Sequence, residues 1–271
     1  MQQSVLTPQK NELLLKDMVA FITGGGSGIG RAAALRLAQE GAKVCLVDLK
    51  ENRAGDVQRQ IEQMGSEAIS VDTDVSDPAR VEAAIQQAVG KWGRLDIVFA
   101  NAGINGKLTP IEYMTPEDWD HTLSTNLKGT FLTVKYAIPH MKAKGGSIII
   151  TSSINGSRKF TSFGASAYSA SKAGQLAFGK MAALELSKYN IRVNVICPGS
   201  IETNISENTQ TTPELNEIKM QIQYPEGNIP LNRQKSGKPE QVADLVLFLA
   251  SAQSSHITGT EIYIDGAESL L

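Results

Sequence analysis

The sequence predicts a doubly wound α/β fold, a parallel sheet of about seven strands with helices on both faces, in a single domain. Three observations predict it. Short apolar, β-rich runs alternate with amphipathic helical patterns along most of the 271 residues. Helix start and stop signals recur between those runs. A glycine-rich turn, Thr23-Gly24-Gly25-Gly26-Ser27-Gly28-Ile29-Gly30, stands between the first strand pattern and the first helix pattern.

The elements follow in order. Residues 18–23 read as a short buried strand and 28–40 as an Ala/Leu-rich helix closed by Gly41. Strand two is expected at 43–47, a helix at 52–64 ending before Gly65, and strand three at 68–71. Asp77 is an N-cap with Pro78 at the first helical position, opening a helix to about 91. Strand four lies at 95–100, and Thr115-Pro116-Glu117-Asp118 opens the next helical region by the same cap chemistry. One long helix is expected at 127–144, strand five at 147–151, a second long helix at 167–188 and strand six at 192–196. Val242, Leu245, Val246 and Leu249 recur on one helical face, and 261–265 is strand seven. Residues 1–15 form a peripheral segment and 16–271 the domain. Residues 205–236 break the pattern: they are long, polar and hold Pro213, Pro225 and Pro230, which predicts a lid over a ligand site.

Composition excludes several classes. With 26 basic and 28 acidic residues and a net charge of −2, the chain has no electrostatic footprint for nucleic acid or anionic membrane. No stretch has the apolar length to span a bilayer, and Leu13-Leu14-Leu15 is too short for a signal-peptide core, so the cytoplasm is expected. Cys45 and Cys197 lie in apolar runs and read as core thiols. His121, His140 and His256 have no metal-ligand spacing, so no metal site is expected.

The glycine turn is where chemistry enters. Gly24, Gly28 and Gly30 permit φ > 0 and let backbone N–H groups approach a pyrophosphate at a helix N-terminus. Asp48, at the end of strand two, is placed to accept hydrogen bonds from ribose hydroxyls and to repel a 2′-phosphate. Leu49 follows where a basic residue would favour NADP, and Ser27 is uncharged, so NAD is expected over NADP. Tyr168 and Lys172, four apart at the start of a helix, share one face, where an ammonium favours the phenolate.

The glycine spacing, together with Tyr168-Ser169-Ala170-Ser171-Lys172, resembles the short-chain dehydrogenase/reductase family, and the resemblance runs from about Lys16 to Gly266. It implies reversible hydride transfer between a nicotinamide and an alcohol or ketone. Tyr168 would exchange the proton on the substrate oxygen, Ser153 polarise that oxygen, Lys172 lower the Tyr168 pKa and hold the nicotinamide ribose, and Asn126 order a relaying water. Ser153 and Tyr168 stand two residues further apart than is common in the family, which lengthens a loop at the pocket and keeps Ser152 as an alternative for the serine role. The family positions for the cofactor fall on Gly24, Ser27, Gly28, Ile29, Gly30, Asp48, Asp74, Val75, Asn101, Ala102 and Gly103, and on Pro198, Gly199, Ile201 and Thr203. Ala100 departs from the asparagine of many members. The pocket would be lined from Ile104-Asn105, Asn155, 159–163, Ser200 and the stretch after Thr203, with Phe160, Phe163 and Tyr224 as an apolar wall or as lid packing. A homotetramer is implied, with the tail packing on a neighbour or fraying. The leading expectation is an NAD-dependent secondary-alcohol dehydrogenase; the alternatives are a 3-oxoacyl thioester reductase and a catalytically silent NAD-binding regulator.

Overall fold

The apolar runs become strands in the computed structural model, which describes residues 13–49, 51–220, 222, 224–225, 227–232 and 235–271. In chain order the strands are β1 (Val19–Thr23), β2 (Lys43–Asp48), β3 (Ala68–Asp72), β4 (Ile97–Ala100), β5 (Gly106–Leu108), β6 (Gly146–Thr151), β7 (Ile191–Pro198), β8 (Thr209–Thr211) and β9 (Glu261–Ile264). The helices are α1 (Gly28–Gln39), α2 (Glu51–Gln63), α3 (Pro78–Trp92), α4 (Pro116–Leu123), α5 (Gly129–Met141), α6 (Ser166–Leu186), α7 (Leu215–Ile218) and α8 (Pro239–Ala250).

Seven strands form one parallel sheet in the order β3-β2-β1-β4-β6-β7-β9. Alternate side chains enter opposite layers, as the period of a strand requires. Val19 and Phe21 face one core with Ile148 and Ile150, under α3, α5 and α6. Ala20, Ile22 and Ile149 face the other, under α1, α2 and α8. Strand order reverses between β1 and β4, and ligands in such sheets lie beyond the strand C-termini at that reversal.

Caps end the helices where the residues say they should. Asp77 accepts the Ala79 and Arg80 amides at 2.9 and 3.3 Å, and Gly93 closes α3 in the left-handed region at φ 70°. Thr115 caps α4 in the same way, from the Asp118 amide at 3.2 Å.

Four expectations need correction. Leu15, assigned to the peripheral segment, is fully buried against the α1/α8 layer; residues 1–12 of that segment lie outside the described ones. The helix expected at 127–144 starts earlier: a π-helical turn at Ser124–Lys128 joins α4 to α5 without a break. The segment expected as a lid is structured rather than a bare loop. It holds a 3-10 turn at Asn204–Asn208, then β8, α7 and a second 3-10 turn at Pro230–Asn232; residues 221, 223, 226, 233 and 234 of it are outside the described ones. β8 pairs in parallel with β5, a two-stranded ribbon whose runs are too short and polar to signal a strand. Finally, the tail folds back as a 3-10 turn at Glu268–Leu270 with Glu268 buried, although Leu270 and Leu271 are exposed.

Candidate active site

A cleft of about 910 Å³ lies beyond the C-terminal ends of β1, β4 and β6. Every residue assigned above to catalysis or cofactor lines it except Gly30 and Asn126, which stand directly behind its wall.

The nucleotide end is built from backbone. Gly24 and Gly28 have φ of 65° and 50°. A Cβ at Gly30 would lie 2.0 Å from the Gly24 carbonyl oxygen and 2.8 Å from Asn101 Nδ2, so only glycine lets the turn close on the helix. Asn101 fastens three strand ends: its Nδ2 donates to the Thr23 and Gly24 carbonyls at 3.2 and 3.5 Å, and its Oδ1 accepts from Thr151 Oγ1 at 3.1 Å. Thr23 completes the joint, its Oγ1 accepting the Asn101 and Ala102 amides at 3.0 and 3.1 Å. Thr23 is not among the sequence-predicted site residues; its polar hydroxyl at the end of an otherwise apolar strand is the signal that marks it.

This end fits a dinucleotide. Unlike α3 and α4, α1 has no side-chain cap: Ser27 sits at its N-cap without bonding a first-turn amide. Uncapped first-turn donors and the helix dipole suit a pyrophosphate. Asp48, at the end of β2, accepts the Gly26 amide at 3.0 Å through Oδ2 and lines the cleft, where a ribose would lie. Arg53 of α2 also lines it and forms an ion pair with Glu207 of the lid. Burial alone would raise the Asp74 carboxyl, but bonds from the Ser76 amide and hydroxyl, with Arg80 and His121 nearby, hold it below the usual range. His121 is exposed at this end of the cleft.

The other end brings together the residues expected to handle protons. The Tyr168 phenol and Ser153 line the cleft together, and burial pushes the Tyr168 pKa above the ordinary phenol value while the Ser153 hydroxyl pulls it down. Lys172, one turn along α6, donates from Nζ to the Thr151 carbonyl at 2.9 Å and lies 5.6 Å from the centre of the Tyr168 ring. Burial lowers its pKa to about 8, with the nearby Cys197 raising it slightly. Cys45 and Cys197 are both buried thiols, and burial pushes Cys197 up to about 12. Ser152 is committed elsewhere: its hydroxyl donates to the Lys172 carbonyl at 2.7 Å, which leaves Ser153 as the serine beside Tyr168.

Asn126 occupies the π-helical turn, a distortion that recurs at functional sites. Its side chain is fully buried and clamps Ile104 from both sides, Oδ1 accepting the amide at 2.8 Å and Nδ2 donating to the carbonyl at 2.9 Å. Nδ2 also donates to Ser171 Oγ at 3.0 Å, and Ser171 donates in turn to the Tyr168 carbonyl at 2.7 Å. The Asn126 carbonyl accepts from Thr130 Oγ1 at 2.8 Å and from Gln175 Nε2 at 3.0 Å. A Cβ on Gly103 would sit 3.2 Å from Asn126 Oδ1 and 3.4 Å from Lys172 Nζ, so both groups border the same narrow space.

The end expected to take substrate comes from loops. Ile104, Asn105, Asn155, Lys159, Thr161, Ser162 and Ser200 line it, together with the lid turn. Phe160, expected to form a wall or pack the lid, faces solvent at 67% exposure. Glu268, absent from the sequence reading, reaches in from the tail, accepting the Ser200 amide at 2.7 Å and pairing with Lys159 at 3.3 Å.

A family model described as Enoyl-(Acyl carrier protein) reductase matches residues 24–267. Levodione reductase of Leifsonia aquatica is 38% identical, over 93% of this chain and 94% of the relative. A 3-ketoacyl-ACP reductase from Sinorhizobium meliloti superposes with a TM-score of 0.90 at 46% identity, covering 93% of this chain and 99% of that one. A 3-ketoacyl-(acyl-carrier-protein) reductase from Brucella melitensis, solved with NADH, gives a TM-score of 0.82 at 32% identity over 94% and 99%.

Proposed function

We infer that this chain, which belongs to the short-chain dehydrogenase/reductase family, is an NAD(H)-dependent oxidoreductase that interconverts a secondary alcohol and a ketone, with Tyr168 as general acid/base. The observation that carries the reading is the convergence of Ser153, Tyr168 and Lys172 on the cleft that also holds the uncapped α1 terminus and Asp48. A bound nicotinamide supplies the hydride acceptor or donor. Tyr168 takes or gives the proton at the substrate oxygen, and Ser153 donates to that oxygen as charge develops on it. Protonated Lys172 favours the Tyr168 phenolate against the burial that opposes it. Asn126 holds the Ile104 backbone and the start of α6 in place beside Lys172, and orders the water that relays protons. Gly24, Gly28, Gly30, Asp48, Asp74, Val75 and the Asn101–Gly103 segment hold the nucleotide; Pro198, Gly199, Ile201 and Thr203 hold the nicotinamide end.

NAD is the expected cofactor because Asp48 lines the cleft at the end of β2, where a carboxylate would repel the 2′-phosphate of NADP. A cytoplasmic homotetramer goes with the reading: Phe131 on α5 and Met181 and Leu184 on α6 leave apolar surface exposed that a second copy would cover. The alternative, a 3-oxoacyl thioester reductase, is favoured by the names of the two solved relatives. Initial rates with NAD(H) and NADP(H), on a panel of alcohols, ketones and 3-oxoacyl thioesters, decide between them. Faster turnover of alcohols with NAD supports the reading; faster turnover of thioesters with NADPH overturns it.

A further inference from the structure

Lys159 and Glu268 stand opposite each other in the substrate end of the cleft, and the proton-transfer machinery uses neither. Lys159 comes from the lengthened segment between Ser153 and Tyr168, and Glu268 from the turn after β9. Both line the cleft with Ser153 and Tyr168, yet they are only 6% and 7% exposed. Lys159 Nζ donates to the Glu268 carbonyl and to Oε1, each at 3.3 Å. These are long for charge-assisted bonds, which close to about 2.7–2.9 Å. An ammonium has three N–H donors and each carboxylate oxygen more than one lone pair, so the pair can still bond a third polar group. Tyr224 lies against the ammonium, 5.1 Å from ring centre to Nζ, and the Ser200 amide anchors the far carboxylate oxygen at 2.7 Å. Each side of the pair is thus held in place for a ligand.

We propose that the Lys159–Glu268 pair determines substrate specificity by selecting an uncharged substrate with a second oxygen function, a hydroxyl or keto group, beside the reacting one. The inference rests on the alcohol/ketone reading above and narrows its substrate class. A hydroxyl accepts from Lys159 and donates to Glu268; a keto oxygen accepts from Lys159. Charge excludes the ionic alternatives. A substrate carboxylate on Lys159 would lie beside Glu268, and a substrate ammonium on Glu268 would lie beside Lys159. The next cation along the cleft, Lys107, is itself paired with Asp118 at 2.8 Å, and Lys172 serves Tyr168. The competing view is that the pair only straps the tail to the pocket. Buried ion pairs do not reliably add stability, so strapping alone is a weak reason to place one there.

The test compares matched probes: cyclohexanol, the cyclohexanediols and 4-hydroxycyclohexanecarboxylate, oxidised with NAD by the full chain. Wild type should favour at least one diol over cyclohexanol and over the hydroxycarboxylate by about tenfold or more in kcat/KM. Lys159→Met should reduce that diol-to-cyclohexanol ratio to near unity. If the single change unfolds the chain by stranding Glu268, the double variant Lys159→Met/Glu268→Gln removes both charges and keeps an acceptor for Ser200. Melting temperature and NADH binding confirm that it is folded. A ratio unchanged while both rates fall together identifies a structural strap and overturns the proposal, as does wild-type preference for cyclohexanol or the carboxylate. Oxidation of none of the probes, with NADH bound, overturns the alcohol dehydrogenase reading itself.

Discussion

The two ends of the cleft are built in different materials. At the nucleotide end most contacts run to main-chain groups, from Asn101, Thr23 and Asp48, on strands buried along their whole length, and a single methyl at Gly30 has no room. At the substrate end the contacts are side chain to side chain, on 3-10 turns, a three-residue ribbon and a chain terminus. Asn105 Nδ2 donates to Thr209 Oγ1 at 2.9 Å, the Thr109 and Thr212 hydroxyls meet at 2.9 Å, and Glu268 reaches Lys159. A cofactor shape that does not vary can be met by main-chain geometry. A substrate has to be met by side chains on segments that tolerate exchange.

Tyr168 belongs to neither end and should be the most sensitive position. Tyr168→Phe removes one oxygen and keeps the ring beside Lys172. It should lower kcat/KM by about 10²–10⁴-fold, the usual worth of a positioned acid/base, with NADH affinity unchanged in a fluorescence titration. Activity close to wild type would remove Tyr168 from the chemistry.

A pair of alanine substitutions tests the backbone character of the nucleotide end. Gly30→Ala forces the Gly24 carbonyl to move, costing about 1–3 kcal/mol and weakening NADH binding by about tenfold or more. Gly90→Ala, in the last turn of α3 with open space around it, should instead stabilise by up to about 0.5–1 kcal/mol. Chemical denaturation of both variants gives the sign directly, and a Gly30→Ala protein with normal stability and NADH affinity would contradict the account of the turn.

The same contrast explains what could be read from the residues alone. The glycine turn, Asp48 and the Asn101 segment announce themselves because backbone constraints select glycine and short polar residues at fixed places. Tyr168 and Lys172 show through helical spacing. Glu268 does not, since a buried partner across the fold leaves no local periodicity, and the Gly106–Leu108/Thr209–Thr211 ribbon is too short and polar to signal. The π-helical turn at Asn126 was invisible for a related reason. Its cause is a set of tertiary bonds to Ile104, Ser171 and Gln175, and not a helix-breaking residue.

Lys172 ties the two ends together through its charge. Its pKa is about 8 when folded against 10.5 when free, so between those values the unfolded chain binds more protons and stability rises with pH. Below pH 8 the buried ammonium costs up to about 3 kcal/mol. The stability of wild type relative to Lys172→Met should therefore climb across pH 8 to 10.5, measured by denaturant unfolding at each pH. A flat difference would mean that the amine is solvated. Asp48→Asn should act more gently. It keeps an acceptor for the Gly26 amide, removes the charge, and narrows the preference for NAD over NADP by about 1–2 kcal/mol in relative kcat/KM.

The smallest effect is expected where the two ends meet, at the ion pair between Arg53 of α2 and Glu207 of the lid turn. Both side chains are part-exposed, at 29% and 45%, and Asn204 Nδ2 also holds Glu207 at 2.7 Å. Surface pairs of this kind contribute about 0.2–1 kcal/mol and are screened by salt. Arg53→Ala should therefore raise the KM for NAD by about two- to fourfold at low ionic strength, and the difference should shrink as salt is added. The pair would then be a latch by which the side-chain half closes over the backbone half, and the matching Glu207→Ala variant should show the same salt-dependent rise. A loss greater than about tenfold that persists in high salt and is absent from Glu207→Ala would place the Arg53 guanidinium on the nucleotide itself, and the adenosine end would then depend on a side chain as the substrate end does.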